Sequence, residues 1–391
     1  MPVEPAIATL LARASELAET FARTAAEIDR EARFPHANFD RLHEAGLLSL
    51  PIPRAAGGAG LGLGAAQAVV GAIARGEPAT ALVLTMHYIQ HAAIANDADF
   101  PTELRGRLQR ESVAGVALVN ALHVEPDLGS PSRGGVPRTI ARQTTEGWQL
   151  SGRKIYSTGA PRLSWLAVYG VTDEPQPRVG LFFVDASRPG VRIVETWNAT
   201  GMRATGSHDV VLEDVLVDAG HVANLVPAGG GEKSNPLLLQ WYFGLVSALY
   251  LGVARAARDW LVDFLDTRTP TALGAPLSSL ARVQEAVGGF DLQLGIGAQL
   301  LDLHARRVEE GSATGEAAGV LKHFAVDTAV DITARALDLA GNHGLSRDNP
   351  LERHHRDALC ARIHAPQNDL LRVKAGQAAF AARRAQNACT S

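Results

Sequence analysis

ATGMRATGSHDVVLEDVLVD, residues 199–218, changes character halfway along. Its first half is turn material rich in Gly, Thr and Ser. Its second half, HDVVLEDVLVD, interleaves apolar residues with Asp and Glu, the pattern of a strand with one buried and one wet face. Toward the N-terminus lie more short β-prone runs: VAGVALV from Val113, WQLSG from Trp148, WLAVYGV from Trp165, VGLFFVD from Val179 and VRIVETW from Val191. Gly, Pro, Asp or Asn bounds each of them. Runs of this length with such punctuation predict an antiparallel sandwich or barrel over residues 113–220.

On both sides the period becomes helical. Leu10, Leu11, Ala14, Leu17, Ala18 and Phe21 recur at three- and four-residue steps and mark one helix face. Phe39, Leu42, Ala45 and Leu47 continue the pattern. After the glycine-rich stretch LPIPRAAGGAGLGLG, residues 50–64, helices are expected over Ala65–Arg75 and Ala79–Asn96. Alanine dominates there, which lets helices approach closely. Beyond VPAGGGEKSNP, residues 226–236, one long helix is expected over Pro236–Asp266, then three more over Val283–Glu310, Gly315–Leu339 and Asn368–Asn387. Their apolar stripes suggest a four-helix bundle. The chain therefore divides into an N-terminal helical domain (1–112), a middle β domain (113–220) and a C-terminal helical bundle (221–391). Helices, then strands, then helices make an α+β fold, not an alternating α/β sheet.

Composition agrees with a globular chain: 391 residues, 46% hydrophobic and 20% charged. A net charge of −4 gives no global reason to bind nucleic acid. Two cysteines, Cys360 and Cys389, make a disulfide framework improbable and suit a reducing compartment. Glu4, Arg13 and Glu16 interrupt the apolar pattern that a signal peptide needs. No uninterrupted apolar stretch of about 18 residues stands out, so no membrane span is expected, and a cytoplasmic location is the default.

Local motifs then carry a resemblance. EPDLGS (125–130), GRKIYSTGA (152–160) and ATGMRATGSHDVVLEDVLV (199–217) resemble, in order and spacing, the EPGAGS, GxKxWITN and GMRxSxxxxVxFEDVxVP motifs of the acyl-CoA dehydrogenase superfamily. The glycine-rich stretch at 50–64 looks like that family's early loop. By itself it reads as a loop between helices, because no strand precedes it as a dinucleotide fingerprint requires. The resemblance implies the fold already described and a flavin, FAD with FMN admitted. A flavin ring wants a flat wall and a few donors on its polar edge. By resemblance Tyr156 stands for the tryptophan that walls the ring. Thr158 stands for the threonine that reaches N5 and O4, and Ser130 for the serine near the pyrophosphate or substrate mouth. Val124 replaces the usual threonine of the first loop.

RTPTALGAPLSSLARVQ (268–284) resembles the run whose Arg and Gln reach the pyrophosphate of a neighbouring subunit's FAD. Arg268, Gly274, Pro276 and Gln284 match, while the Phe is gone and the loop is longer, a departure that admits FMN. LDLAGNHGLSRDNPLERHHRDA (337–358) resembles QIFGGYGYxxxxPxERxxRDA. It places Gly341 and Asn342 at the cofactor, matches Arg353, Arg356 and Asp357 to ERxxRD, and puts Asp338 where the family has Gln. Gln367 and Asp369 take the cofactor positions just beyond. Through Arg268 the resemblance also implies at least a dimer, with a homotetramer typical.

A thioester dehydrogenase needs a carboxylate base beside the flavin. The family's usual Glu, nine residues past the second Arg of ERxxRD, corresponds to Ala365. The alternative place is the long helix from Pro236, which has no Asp or Glu between Glu232 and Asp259. His364, one position before Ala365 and followed closely by Pro366, resembles the flavin-dependent monooxygenase branch of this fold. That branch includes desulfurisation monooxygenases and the 4-hydroxyphenylacetate hydroxylase type. There a reduced flavin from a partner reductase meets O2, and oxygen passes to a small organic substrate. Imidazole suits the proton transfers involved, and Ser157 is a second candidate donor. An oxygen-using flavoenzyme with His364 and Ser157 as catalytic groups is thus the leading expectation. An acyl-CoA dehydrogenase with an atypical base is the second, and a non-catalytic flavin binder the third.

His87 and His91 share a helix face, but no third ligand accompanies them, so packing is expected instead of a metal. His354 and His355 point to different sides of a helix and are expected behind the site or at the surface. Trp241, Tyr242, Phe243 and Tyr250 make the long helix aromatic and are expected in the core.

Overall fold

A computed structural model describes residues 3–128, 135–229, 233 and 235–390. Five helices come first: α1 (Val3–Glu31), α2 (His36–Glu44), α3 (Leu63–Gly76), α4 (Pro78–Asn96) and α5 (Thr102–Ala114). Eight strands follow: β1 (Leu118–Leu122), β2 (Ile140–Thr144), β3 (Gly147–Lys154), β4 (Leu163–Thr172), β5 (Arg178–Asp185), β6 (Val191–Val194), β7 (Asp209–Asp218) and β8 (Val222–Pro227). The chain ends in α6 (Pro236–Thr267), α7 (Ala281–Glu309), α8 (Gly315–Ala340), the short α9 (Leu351–Leu359) and α10 (Asn368–Thr390).

Side chains at the helix starts satisfy first-turn amides. Asn235 accepts from the Leu238 amide at 3.0 Å at the head of α6, with Pro236 in the first turn. Thr314 caps α8 on the Ala317 amide. Glu77 does the same for α4, accepting from Ala79 and Thr80. α3 crosses α6 so closely that a Cβ on Gly252 would stand 2.5 Å from the Gly71 carbonyl oxygen. The glycine therefore sets the distance between two core helices.

The strands form one sheet in the order β6-β7-β3-β2-β4-β5-β8, with β1 paired to β4. It is not purely antiparallel, because β1 and β2 both run parallel to β4. Two further expectations are corrected. Val113 and Ala114, the head of the VAGVALV run, finish α5, and the first strand begins only at Leu118. β8, which pairs antiparallel with β5, lies past residue 220. One apolar core joins all three parts, from Phe21 and Tyr88 through Leu150 and Phe182 to Tyr250 and Leu351. A smaller cluster around Trp165 and Phe183 fills the other side of the sheet against α5.

α6 is long and apolar enough to cross a membrane by length and composition, but 78% of its apolar window is buried inside the fold. It is the axis of the bundle: Trp241, Phe243 and Tyr250 are buried in it, as expected of core aromatics.

Candidate active site

The middle domain presents one rigid edge. β3 ends at Lys154, fully buried, whose ammonium donates to the Glu125 carboxylate at 2.6 Å. Glu125 also accepts from the Arg138 amide, the Thr139 amide and the Thr139 hydroxyl. Burial opposes the Glu125 charge, but Lys154 and the other donors outweigh it and hold the carboxyl below its usual range. Burial likewise pulls Lys154 down, to about 8. This pair locks the loop that begins EPDLGS onto the strand carrying the next motif, and the sequence reading missed it. Ser130, at the end of that loop, lies outside the described residues.

From Lys154 the chain turns through Tyr156, which adopts φ 56° and leaves its ring 62% exposed. Ser157 is buried, its amide donates to the His208 carbonyl, and its hydroxyl is enclosed without a partner. Thr158 Oγ1 pairs with Ser207 Oγ at 3.0 Å, and Ser207 with Thr205 Oγ1 at 2.8 Å. Asn120 donates to the Thr158 carbonyl at 2.9 Å. The turn of the 199–218 stretch thus supplies the hydroxyls that orient Thr158. An open aromatic face beside an orphaned buried hydroxyl is a seat for a flat ring with a polar edge, so these residues fit a flavin.

ERxxRD acts as a fastening. Asp357 accepts from the Met202 amide at 2.6 Å, which ties the same turn to α9. Arg356 donates to Asp29, Glu352 and the Thr200 carbonyl, joining α1, α9 and the middle domain. His355 meets Thr333 at 3.0 Å. His354 is buried, which corrects any surface placement for it.

Helix α6 and the segment after α9 meet at one hydrogen bond. Tyr250, from the stretch of α6 before Asp259 that has no Asp or Glu, lies 2.7 Å from Nε2 of His364, from the segment after α9. Burial holds the Tyr250 phenol well above its usual range, so it stays protonated. Burial, then the nearby Lys322 charge, pushes His364 down to about 4. With the phenol donating to Nε2, the neutral imidazole carries its own proton on Nδ1. Lys322, fully buried, donates to the carbonyls of His364 and Pro366 at 3.0 and 2.8 Å and pins the segment from behind. Neither Tyr250 nor Lys322 was singled out from sequence as a site residue, since only the fold brings them to His364. No hydrogen bond joins Ser157 to His364.

The remaining cofactor positions are distributed elsewhere. Arg268, at the C-terminal end of α6, is exposed, and Gln284 at the head of α7 donates only to the Ser278 carbonyl of its own segment. Gly341, at φ 58°, ends α8, and Asn342 beside it is exposed. A tilted ring contact of His343 with Phe264, ring centres 5.2 Å apart, brings the α8 end to the α6 end. Gln367 and Asp369 border a cleft of about 610 Å³ with Asp331, Arg362 and Arg372. His87 bonds the Leu48 carbonyl and the Val119 amide, and His91 meets Ser112, so both are packing residues. Among the described residues no cluster of three His, Cys, Asp or Glu side chains could hold a metal.

Three family models match successive parts of the chain: acyl-CoA dehydrogenase N-terminal domain over residues 7–99, middle domain over 122–215 and C-terminal domain over 245–369. YdbM of Bacillus subtilis (strain 168), which carries an acyl-CoA dehydrogenase name, is 32% identical over 371 residues, covering 93% of this chain and 94% of its own. Butyryl-CoA dehydrogenase of Megasphaera elsdenii shares the fold at a TM-score of 0.84 and 23% identity, over 95% of this chain and 98% of that one. KijD3, solved with FMN and a dTDP-linked amino-keto sugar, superposes at a TM-score of 0.81 with 28% identity, over 97% of this chain and 95% of its own. Fold, ordered motifs and these matches agree: the chain belongs to the acyl-CoA dehydrogenase family of flavin-dependent oxidoreductases.

Proposed function

We propose that this flavoprotein uses reduced flavin and O2 to oxidise a small organic substrate, instead of dehydrogenating an acyl thioester. The observation that carries the reading is the Tyr250–His364 pair, 2.7 Å apart, on the two segments from which, by resemblance, the family's base would come and where this chain has no carboxylate. Neutral phenol and neutral imidazole are poor bases for pulling a proton from carbon, but both hold and pass protons at oxygen. The flavin, FAD with FMN admitted as in KijD3, supplies the electron chemistry when bound.

The chain's own residues have separable tasks in this reading. Tyr156 offers its exposed ring as a wall, and Ser157 offers a hydroxyl that is otherwise unpaired. Ser207 and Asn120 fix Thr158 so that its contacts are set before the cofactor arrives. Tyr250 fixes the His364 tautomer, leaving the Nδ1–H free to donate a hydrogen bond. Lys322 disfavours a second proton on His364, so the imidazole remains neutral across the working pH range.

Arg268, Gln284, Gly341 and Asn342 complete the cofactor site in a second copy of the chain, with a homotetramer as the assembly. Support comes from their exposure and from the outward apolar side chains Leu292 and Ile296 on α7 and Phe380 on α10. A separate flavin reductase is the partner this chemistry calls for.

Two assays separate the reading from the dehydrogenase activity that relatives' names suggest. With a reductase, NADH and flavin, O2 uptake should depend on the protein, and His364→Ala should divert that oxygen to free hydrogen peroxide with flavin affinity nearly unchanged. Conversely, the oxidised, flavin-loaded protein under nitrogen should keep its yellow colour when butyryl-CoA is added. Rapid bleaching by the thioester would overturn the proposal in favour of an acyl-CoA dehydrogenase with an atypical base.

A further inference from the structure

Between α1, α3, α6 and the approach to α9 lies a cleft of about 640 Å³. None of the Tyr156, His364 or Arg268 groups lines it. Its floor is made of small residues such as Ala22, Ala72 and Ala256. Two buried side chains open into it, Arg353 and His354, only 7% and 3% exposed. Arg353 has no hydrogen bond or ion pair among the described residues, and its Nε is enclosed without a partner. His354 Nδ1 is likewise enclosed and unpaired. Burial, with the Arg353 charge adding to it, pushes that imidazole down to about 3, so it is neutral. The carboxylates that feel Arg353 are already engaged: Glu77 with the first turn of α4, Asp357 with the Met202 amide.

A buried guanidinium with no hydrogen-bonded or ion-paired partner, met only at longer range by Glu77 and Asp357, leaves donors that an anion in the cleft can take. The rim limits which anion. Arg75 and Asp259 neutralise each other at 2.7 Å. Glu19 and Asp263 on α1 and α6 are exposed, and their carboxylates have no partner among the described residues. With Asp259 and Asp348 they outnumber the rim cations Arg75 and Arg347, so the rim disfavours a multiply charged anion such as a phosphate ester. A molecule with a carboxylate at its inner end and an ammonium at its outer end satisfies both parts. We propose that this cleft binds a small zwitterion of the amino-acid type, carboxylate on Arg353 and ammonium on Glu19 and Asp263. The site stands whether or not the oxygenase reading holds.

The test is calorimetric titration of the flavin-loaded, full-length protein with δ-aminovalerate and its two half-molecules, valerate and pentylamine. δ-Aminovalerate should bind at least roughly tenfold more tightly than either half, since it gains a second charge-assisted contact. Asp263→Asn should bring it down to the level of valerate, and that exposed change should leave folding intact. Arg353→Met should abolish binding and, without ligand, raise Tm, because it removes an unpaired buried charge. Failure of all three probes to bind overturns the site. Equal affinity for valerate and δ-aminovalerate overturns the zwitterion in favour of a simple anion. A lower Tm or misfolding of Arg353→Met shows that the guanidinium has a partner inside the chain, which also overturns the proposal.

Discussion

In the proposed reading, the middle-domain edge and the far end of the helical bundle serve the same cofactor in different states of readiness. At the edge, Lys154 is locked to Glu125, and Thr158 is held through Ser207 and Asn120. At the far end, Arg268 and Asn342 are exposed, and Gln284 bonds only its own segment. One region is finished within a single chain; the other is a set of donors that a single chain leaves unused. Under the proposed function, the difference means that ring recognition is built into the single chain, while the rest of the cofactor's grip depends on assembly.

The largest test of that contrast is Lys154→Met, which strands a buried carboxylate. It should cost about 3–5 kcal/mol in urea unfolding, and the double change with Glu125→Gln should recover most of it. A cost near zero would mean the edge is not prebuilt. Next comes the seam between the regions. Burial, with the Asp29 and Glu77 charges adding to it against the Met202 amide, raises Asp357 to about 7. The folded state therefore binds this proton more tightly than the unfolded chain. Its stabilising contribution is full below the ordinary carboxylate pKa and is lost as pH rises through about 7. Asp357→Asn should thus be more stable than the parent at pH 8 by on the order of 2 kcal/mol, with the gap closing at low pH. Equal gaps at both pH values would sink the assignment.

Arg268→Ala should weaken flavin binding roughly tenfold, as expected for a charged donor to phosphate, and leave Tm unchanged. Flavin affinity of the parent should also fall when the protein is diluted; concentration-independent affinity would break the contrast. The smallest effect is Ser157→Ala. Flavin fluorescence titration should show a loss of about 1 kcal/mol with no cost to stability, because the hydroxyl has no partner in the chain.

Much of this arrangement was legible because it is local. The helical period placed α6, α7 and α8 to within a few residues, and GRKIYSTGA is a contiguous run that ends β3 and makes the turn after it. What was not legible depends on distance along the chain. Tyr250 and His364 are far apart in sequence, so periodicity could only read Tyr250 as a core aromatic, which it also is. Lys322 looks like any lysine on an amphipathic helix until the fold encloses it. VAGVALV was read as a strand because a short apolar run is ambiguous between strand and buried helix end. β8 escaped because Asn224, at φ 60°, and a terminal Pro227 spoil its pattern. Parallel pairing of β1 and β2 with β4 follows from crossover connections, which no single strand encodes.

The continuous apolar core, running from α1 through the sheet to α9, has a historical consequence. A chain built this way offers no interior seam along which one third could be traded for the same third of a relative. A transplanted middle segment would have to match packed surfaces at both of its ends at once. Diversification in such an architecture proceeds by replacing single side chains around a fixed frame. In the proposed reading, that is how Ala365 can stand where relatives carry a glutamate while the helices keep their places.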